Sequence, residues 1–531
     1  MTLSLTFHGA AGTVTGSCFR LDTPAGALLV DCGLFQGTKS VRELNYRAFP
    51  FDPADIRAVL LTHAHIDHSG LVPKLARQGF RGRVYATPGT ADLLTYMLPD
   101  SGYIQETEVD RLNRRNRQRG RPAVQPIYTR DDAERSLKRL EQAPYDRWIR
   151  VLPGVRARFW QAGHILGSAS VEVEVEAADG DAPVRVLFSG DIGPGGKDFH
   201  ADAAGPERPD WLVLETTYGD RARTEVEPEA RRALLAGEVK AALKRGGNLL
   251  IPSFAVERTQ ELLYDFGLLF DTGALPPVDI FLDSPLADAV TDVFERHLAG
   301  LEGDPFRRPN LHRVRSAAES QKLNALAGGA IIMAASGMCD AGRIRHHLKA
   351  NLWRPEATVL LVGYQAPGTL GRMLRQGVPR VRIHGEEIEV RAAVRTLDVY
   401  SGHADRDGLL EWVEARHGAA RGVFLVHGEP GAREAIRQAL LAGGRDGALI
   451  HTPDLDETVD LSGARARTVP AVRPAAPRVA PAAVAADWHN TYAETLLALG
   501  EALRSAPDDA ARTRLLAQVR DAMSRPGGTA G

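Results

Sequence analysis

The chain has 531 residues, of which 44% are apolar and 25% are charged, and its formal net charge is −2. This composition is typical of a globular enzyme with a large core, and the length indicates two to four domains. It excludes fibrous and disulfide-rich proteins, and it gives no global basic signature for nucleic acid. The start lacks a basic signal-peptide region and no apolar run reaches about 18 residues, so we expect a cytoplasmic protein without a membrane span.

Three cysteines, Cys18, Cys32 and Cys339, are widely separated in the sequence. This spacing argues against a disulfide framework and against a cysteine-based zinc site. We therefore expect each cysteine to be a small buried residue rather than a metal ligand or a nucleophile.

From Leu3 to about Asp191, short apolar strands alternate with helices, which indicates an α/β or α+β class. From Trp211 the pattern changes to apolar runs separated by helical segments, as in a buried parallel sheet. These runs are 211–214, 248–251, 278–281, 330–333 and 358–362. We expect residues 211–385 to form a doubly wound domain.

More strands follow, including an apolar run that ends in His427. If His427 joins a site built by the first part of the chain, the middle region is an insertion. Beyond residue 463, an Ala/Pro-rich stretch is typical of a semi-rigid linker, and two apolar helical faces at 488–503 and 515–523 predict a docking or oligomerisation tail. The expected division is 1–210 and 386–463 for the first domain, 211–385 for the insertion, 464–485 for the linker and 486–531 for the tail.

The densest group of potential metal ligands is the sequence His-Ala-His-Ile-Asp-His at residues 63–68. Its chance occurrence has odds on the order of one in a million per starting position. Imidazole and carboxylate groups suit zinc, and a catalytic site needs neighbouring ligands that leave a coordination position open. His63 and His65 project from one side of the turn, whereas Asp67 and His68 can reach a second ion. The sequence therefore predicts two metal ions.

Polar residues of the metal-site type follow apolar strands at six places. They are Asp31, His63, His164, Asp191, Glu215 and His427. Ligands at the ends of adjacent strands converge at one edge of a sheet. A single such residue is more often a turn cap or a solvent-facing side chain, but six of them together with the His-rich cluster favour one site.

The cluster at 63–68, with Asp31, His164 and Asp191, is similar to the metallo-β-lactamase fold. Further motifs resemble its β-CASP branch, which includes ribonuclease J and the endonuclease subunit of the pre-mRNA 3′-end cleavage complex. These motifs are 215–219, 252–255, 336–343, 401–405 and 426–429. The resemblance covers residues 3–460. It implies an α/β fold, namely an αββα sandwich with an inserted β-CASP domain that has a doubly wound, mainly parallel sheet.

The resemblance also implies two zinc ions, with manganese as a further option. The implied ligands are His63, His65 and His164 for one ion, Asp67, His68 and His427 for the other, and Asp191 as the bridge. Asp31 would not bind an ion itself but would orient a ligand or the bridging water. A hydroxide shared by the two ions would then attack phosphorus.

Asp67, His403 and Glu215 are the expected catalytic residues. His403 would be the general acid for the departing ribose 3′-oxygen, and Glu215 would hold its ring in the right tautomer. The alternative for His403 is a histidine packed in a loop against a carbonyl.

Several residues are expected to bind the phosphates of RNA. Ser401, His403 and the loop residues Ser336, Gly337 and Met338 are the candidates, because a Gly-containing loop before a helix is an anion site. The same residue types also make ordinary helix caps.

The roles of two basic segments are left open by the sequence. The run 111–121 contains six arginines, which either track an RNA backbone or form a solvated helix face. Arg343, Arg345, His346 and His347 follow the loop at 336–342 and are candidates to face the cleft between the domains.

The leading hypothesis is a zinc-dependent ribonuclease acting in RNA processing or decay. It would cut single-stranded RNA as an endonuclease, a 5′-exonuclease or both, leaving a 5′-phosphate and a 3′-hydroxyl. Family members that act on RNA resemble this chain in having a histidine at the position of His427, whereas the DNA-processing branch has an apolar residue there. The alternatives are a DNA-processing β-CASP nuclease, a small-molecule hydrolase and a non-catalytic RNA-binding scaffold. Besides RNA, a second copy or a partner protein bound through the C-terminal helices is expected.

Overall fold

The computed structural model describes residues 3–177, 182–222, 226–298, 305–366, 368–469, 499, 502–503 and 506–524. The chain forms two compact units, Met1–Val479 and Ala480–Gly531. The predicted linker beyond residue 469 and the helical face at 488–503, apart from residues 499 and 502–503, lie outside the described residues. Among the described helices, none has both the length and the apolar character that crossing a bilayer requires.

The first unit contains many short strands. They are β1 (Ser4–Phe7), β2 (Phe19–Thr23), β3 (Gly26–Val30), β4 (Ile56–Leu60), β5 (Arg83–Ala86), β6 (Leu140–Gln142), β7 (Ile149–Leu152), β8 (Val155–Gln161), β9 (Ala169–Val175), β10 (Val184–Phe188), β11 (Trp211–Glu215), β12 (Leu249–Pro252), β13 (Ile280–Leu282), β14 (Leu311–Arg313), β15 (Ile331–Ala334), β16 (Thr358–Leu361), β17 (Arg380–Ile383), β18 (Glu386–Glu389), β19 (Ala393–Thr396), β20 (Gly422–Val426), β21 (Ile450–His451), β22 (Thr458–Asp460) and β23 (Arg467–Thr468).

Helices separate many of these strands, and the described part of the second unit also contains a helix. They are α1 (Lys39–Arg42), α2 (Ile66–Ser69), α3 (Val72–Arg77), α4 (Pro88–Gln118), α5 (Arg130–Leu137), α6 (Pro228–Arg245), α7 (Arg258–Asp271), α8 (Pro285–His297), α9 (Ala317–Leu323), α10 (Ile344–Asn351), α11 (Leu370–Arg375), α12 (Arg406–Glu414), α13 (Pro430–Ala442) and α14 (Asp509–Ser524), with short 3₁₀ turns at Glu43–Tyr46, Pro53–Asp55 and Gly447–Leu449.

Two mixed sheets share one core. The first has the strand order β23-β22-β1-β2-β3-β4-β5-β6 and the second has the order β21-β20-β11-β10-β9-β8-β7. In the first sheet β3, β4, β5 and β6 run parallel, and in the second β10, β11, β20 and β21 run parallel. Apolar side chains of β1 to β4 and of β8 to β11 form a single cluster between the sheets.

The alternation of side chains along each strand places helices on the outer faces. In β11, Trp211 and Val213 belong to the core between the sheets, whereas Leu212 and Leu214 pack with α12 and α13. In β3, Val30 points into the shared core and Leu29 points towards the cluster that contains α3, α4 and α5. Period-two burial on both faces therefore produces a helix–sheet–sheet–helix sandwich, which confirms the predicted architecture.

The third sheet is entirely parallel, with the order β14-β13-β15-β12-β16-β19. In β12, Leu250 belongs to a cluster with α9, α10 and α11, whereas Leu249 and Ile251 pack with α6, α7 and α8. Helices on both faces confirm the predicted doubly wound, mainly parallel sheet.

One strand prediction is wrong. Trp211–Glu215 does not open the doubly wound sheet but lies between β10 and β20, parallel to both. All five of its residues are buried, as are those of β12, β15 and β16 in the third sheet, so the sequence pattern does not distinguish the two kinds of strand. At the other end, Ala393–Thr396 pairs with β16 of the third sheet, beyond the expected end at residue 385. The strands of the third sheet therefore all fall between β11 and β20.

Parallel strands of both sandwich sheets end at the edge that carries the candidate site. Asp31 directly follows β3, Glu215 ends β11 and His427 directly follows β20. The loop after β4 carries His63, and the loop after β10 carries Asp191. Each strand thus delivers one polar residue to a common edge.

Two glycines allow the loops at this edge to approach one another. A Cβ atom at Gly33 would lie 1.6 Å from the backbone oxygen of Asp67, and one at Gly193 would lie 1.9 Å from the backbone oxygen of Gly163. Both distances are far shorter than a van der Waals contact, so any larger residue would push these loops apart.

Candidate metal centre

Four side chains form the first ligand group. Atoms of His63, His65, His164 and Asp191 all lie within 4.8 Å of one another. His65 Nδ1 is 3.0 Å from His63 Nε2 and 3.1 Å from His164 Nε2. Asp191 Oδ2 is 3.5 Å from His63 Nε2 and 3.6 Å from His164 Nε2. Three ring nitrogens and one carboxylate oxygen therefore point at a common position.

Asp67, His68 and His427 form the second group, and their ligand atoms also lie within 4.8 Å of one another. His68 Nε2 is 3.2 Å from His427 Nε2, which in turn is 3.6 Å from Asp67 Oδ2. Asp191 Oδ1 lies 3.3 Å from His68 Nε2 and 3.6 Å from His427 Nδ1. The two oxygens of Asp191 thus face different groups.

The chemistry of these donors fits divalent metal. Asp191 Oδ1 is buried and has no hydrogen-bond partner among the described residues. Burial raises the pKa of the Asp191 carboxyl, but the imidazoles of His427, His68 and His63 outweigh it and hold the pKa well below its usual range. Burial also lowers the pKa of His63 and of His164 well below the ordinary value for histidine. The ionised carboxylate and the neutral rings of His63 and His164 are already in the protonation state that metal binding requires. Burial lowers the pKa of His68, but Asp191 and Asp31 outweigh it and raise the pKa well above the ordinary value, so His68 must lose a proton when a metal binds.

Asp31 holds one ring of the second group from behind. Asp31 Oδ2 lies 2.7 Å from His68 Nδ1 and accepts a hydrogen bond from Thr62 Oγ1 at 2.8 Å. The other oxygen accepts the Thr62 backbone N–H at 2.8 Å. Asp31 and His427 both have positive φ, 60° and 46°, a strained conformation for residues other than glycine. The contacts of Asp31 with His68 and Thr62 direct His68 Nε2 towards the ligand group.

His403 and Glu215 form a pair beside the ligands. His403 Nδ1 is 3.2 Å from Glu215 Oε1, and His403 Nε2 is 4.0 Å from Asp191 Oδ2. Glu215 is fixed by the backbone N–H groups of Ile192 at 2.6 Å and Thr217 at 3.2 Å. Burial lowers the pKa of His403, but the Glu215 carboxylate outweighs it, so the pKa lies above its ordinary value.

The turn that carries His403 also contacts the first ligand group. Ser401 Oγ accepts the His403 N–H at 3.2 Å and donates to the His403 carbonyl oxygen at 2.8 Å. The backbone oxygen of Gly402 lies 2.6 Å from His164 Nδ1. This contact leaves His164 Nε2 for the ligand group. Ser401 therefore shapes the turn, and its contact with phosphate stays a prediction.

Two threonines that fix these rings were missed in the sequence analysis. Thr217 Oγ1 lies 3.0 Å from His427 Nδ1, and Thr62 Oγ1 joins the contacts around Asp31. Thr62 directly precedes His63, and Thr217 lies two positions after Glu215. Their proximity to these predicted strand-end residues was the available signal.

A buried ion-pair cluster joins the loop after Asp191 to the start of α7. Lys197 Nζ lies 3.2 Å from Glu257 Oε1 and 3.3 Å from Glu261 Oε1. His200 Nε2 lies 2.6 Å from the same oxygen of Glu257. Burial raises the pKa of Glu257, but His200 and Lys197 outweigh it and lower the pKa to about 2.

This cluster also reaches the His164 loop. Lys197 Nζ donates to the backbone oxygen of His164 at 2.6 Å, and Glu257 Oε2 accepts the Leu166 N–H at 3.1 Å. Glu257 has a φ of 68°, which is rare for any residue other than glycine. Nothing in the sequence marked Glu257 or Lys197, because their partners are distant along the chain.

Replacing Glu257 with Gln should destabilise the fold by about 3 kcal/mol, because Lys197 and His200 would lose a buried carboxylate partner. Urea unfolding followed by tryptophan fluorescence measures the change. Glu229→Gln is the matched control, since the 84% exposed Glu229 side chain pairs with Arg232 at the surface and should contribute little. Equal unfolding midpoints for the two variants would contradict a stabilising role for the cluster.

The loop predicted to grip phosphate is held by its own hydrogen bonds. Ser336 Oγ accepts the Ala341 N–H at 3.2 Å, and the Gly337 carbonyl accepts from the Gln365 side chain at 3.0 Å. The carbonyl of Met338 accepts the Gly371 N–H at 3.1 Å. Phosphate binding by this loop stays a prediction.

The expectation that His347 faces the interdomain cleft is wrong. Its ring is fully buried, with Nε2 2.6 Å from Asp283 and Nδ1 3.0 Å from Asn324. Arg343 donates to the same Asp283 carboxylate at 2.6 Å. Both residues support the carboxyl end of β13. Cys18, Cys32 and Cys339 are free and buried, as predicted.

Three family models match the chain in succession. The model of the metallo-β-lactamase superfamily matches residues 11–234 and that of the Beta-Casp domain matches residues 259–374. The model of the Zn-dependent metallo-hydrolase RNA specificity domain matches residues 387–450.

Curated proteins match most of the chain. Ribonuclease TTHA0252 of Thermus thermophilus is 38% identical over 452 residues, which is 83% of this chain and 96% of that protein. Transcription termination factor FttA of Pyrococcus abyssi is 32% identical, over 81% of this chain and 67% of that protein. FttA of Methanosarcina mazei is 30% identical, over 80% of this chain and 67% of that protein. A crystal structure of a protein of unknown function from Enterococcus faecalis V583 covers 87% of this chain and 100% of its own, with a TM-score of 0.50 and 12% identity, which indicates a shared fold.

Proposed function

The chain belongs to the β-CASP family of the metallo-β-lactamase superfamily, and we propose that it is a zinc-dependent ribonuclease. It would hydrolyse single-stranded RNA, leaving a 5′-phosphate and a 3′-hydroxyl. The observation that carries the proposal is the meeting of two ligand groups at Asp191, with the His403–Glu215 pair beside them. The 38% identical ribonuclease and the match to an RNA specificity model support RNA as the substrate.

Two divalent ions are proposed. The ligands would be His63, His65 and His164 for one, Asp67, His68 and His427 for the other, and Asp191 for both. Such a set of nitrogen and oxygen donors suits zinc, with manganese as the alternative. When bound, a pair of ions stabilises charge on the attacking and leaving oxygens of an in-line displacement at phosphorus and lowers the pKa of water.

His403 is the proposed general acid. Because Glu215 takes the Nδ1 side of the ring at 3.2 Å, the proton to be donated sits on Nε2, which faces Asp191. The raised pKa of His403 keeps a larger fraction of the ring protonated near neutral pH. The departing ribose 3′-oxygen would take the Nε2 proton as the P–O bond breaks.

The other candidate functions explain less of the site. A non-catalytic scaffold would not need the ligand groups, and a small-molecule hydrolase would not need the inserted domain or the His403–Glu215 pair. The histidine at position 427 favours RNA over DNA, through its resemblance to the RNA-acting members of the family. We also propose that residues 486–531 serve docking or dimerisation.

The test is to incubate the purified chain with 5′-labelled and with 3′-labelled single-stranded RNA, with and without chelator. Cleavage that stops with chelator and returns with added zinc supports the proposal. Release of mononucleotides from the 5′ end identifies an exonuclease, and internal fragments identify an endonuclease. Equal rates on a matched DNA strand would overturn the preference for RNA.

A further inference from the structure

One side of the long helix α4 carries aromatic and basic side chains in line. Tyr96 is 37% exposed and Tyr103 is 58% exposed, and Arg114 and Arg117 are exposed further along the same helix. At 100° per residue, these four positions fall within about 60° around the helix axis, and the exposed Asp110 falls in the same sector. We call the four positions the α4 stripe.

The C-terminal end of the α4 stripe is rich in arginines. Six exposed arginines occur in the last turns of α4 and just after it, at positions 111, 114, 115, 117, 119 and 121. Within the described part of the chain, none of them forms an ion pair with a carboxylate. Because the net charge of the chain is only −2, this is a local excess and not a property of the whole surface.

The segment that follows α4 is hydrogen-bonded to the helix, which holds the backbone of these arginines in place. Asn113 donates to the Val124 carbonyl at 2.9 Å and accepts the Val124 N–H at 2.8 Å. Asn116 donates to the Pro122 carbonyl at 3.1 Å. A fixed frame reduces the ordering cost when a charged ligand binds.

The other end of α4 lies at the candidate metal centre. Thr90 Oγ1 donates to the carbonyl of Gly167 at 2.8 Å, in the loop that carries His164. A Cβ atom on Gly89 would lie 2.9 Å from the Cα atom of Gly167, so the helix start touches this loop. At 1.5 Å per residue, Tyr96 lies about 12 Å and Arg114 about 39 Å along the helix from its start.

We propose that the α4 stripe binds single-stranded RNA outside the cleavage site. Exposed tyrosines stack on unpaired bases, and arginines that lack carboxylate partners contact phosphates. Charge complementarity favours this occupant over a second copy of the chain, since two such arginine-rich faces repel each other. The proposal rests on the ribonuclease function and adds a second contact for long substrates.

The test compares Arg114→Gln/Arg117→Gln with Lys240→Gln/Lys244→Gln, which removes the same charge from exposed positions of α6. The first probe is a fluorescent oligouridine of about 30 nucleotides, longer than the roughly 12 stacked nucleotides that 39 Å spans. Its dissociation constant is measured in EDTA over a range of salt concentrations, so binding does not depend on cleavage. The second probe is an oligouridine of about 5 nucleotides, whose cleavage is measured with zinc.

The arginine variant should bind the long RNA about fivefold to tenfold more weakly, and its salt slope should fall by about 1.4, or about 0.7 for each arginine. Cleavage of the short RNA should stay as in the wild type. Tyr96→Ser/Tyr103→Ser should weaken binding of the long RNA without changing the salt slope, since stacking involves no ion release.

The proposal is overturned if the arginine variant binds the long RNA as tightly as the lysine control does. It is also overturned if the arginine variant loses as much cleavage of the short RNA as it loses binding of the long RNA. A third contradicting result is a dimer that the arginine variant disrupts while its RNA affinity stays unchanged. Failure of the proposed function looks different. The wild type would then bind the long RNA through the stripe but cleave neither probe.

Discussion

Replacement of Asp191 with Asn is expected to reduce RNA cleavage at least about a thousandfold while the protein remains folded. One carboxylate oxygen of Asp191 faces the first ligand group. The other oxygen faces the second group and lies 3.3 Å from His68 Nε2. The amide keeps the volume of the side chain but removes the negative charge between the imidazoles. Rates on single-stranded RNA under saturating zinc measure the loss.

Asp202→Asn is the matched control, because Asp202 is exposed in the loop that follows Asp191 and its acceptor oxygen is retained in the amide. Its activity should equal that of the wild type. Circular dichroism and the unfolding midpoint show whether the Asp191 variant is folded. A folded Asp191→Asn protein with wild-type activity would contradict the assignment of Asp191 as the shared ligand.

Replacement of His403 with Ala is expected to lower kcat for RNA by about 10²- to 10⁴-fold, the usual contribution of a general acid. Metal content should not change, because His403 Nε2 is 4.0 Å from Asp191 and His403 is not one of the proposed ligands. A phosphodiester with a p-nitrophenolate leaving group needs no protonation when it departs. Its hydrolysis should therefore be affected much less than that of RNA.

The leaving-group comparison separates a general acid from a residue that only supports the fold. A structural role would lower the rates on both substrates equally, and that result would rule out proton donation by His403. His312→Ala serves as the control, since His312 is 43% exposed and pairs with Asp279 in the inserted domain. Its rates on both substrates should match the wild type.

Much of the fold followed from period and composition. Apolar runs that alternate with helical segments predict a buried parallel sheet, and the third sheet is of that kind. The same logic misplaced Trp211–Glu215, because buried parallel strands look alike in sequence and only their partners distinguish them. Pairing partners that lie far apart in the chain, such as β11 and β20, leave no local signal.

The candidate site was accessible from the sequence for a different reason. Metal ligands are drawn from few residue types, and parallel strands bring their carboxyl ends to one edge, so Asp31, Asp191 and His427 could be grouped from the sequence alone. Thr217 acts through its contact with His427, and threonine is too common a residue type for its role to be recognised from the sequence. Glu257 depends on partners some 57 to 91 residues away, so no local pattern reveals it.

The most direct test is to count divalent ions per chain by elemental analysis after dialysis in metal-replete buffer, for the wild type and for His427→Ala. We expect two ions in the wild type. The variant should lose one of them, because His427 lies with Asp67 and His68 and apart from the first ligand group. A wild-type chain that retains no ion, or a His427→Ala chain that retains the same number as the wild type, would contradict the paired metal centre and the nuclease built on it.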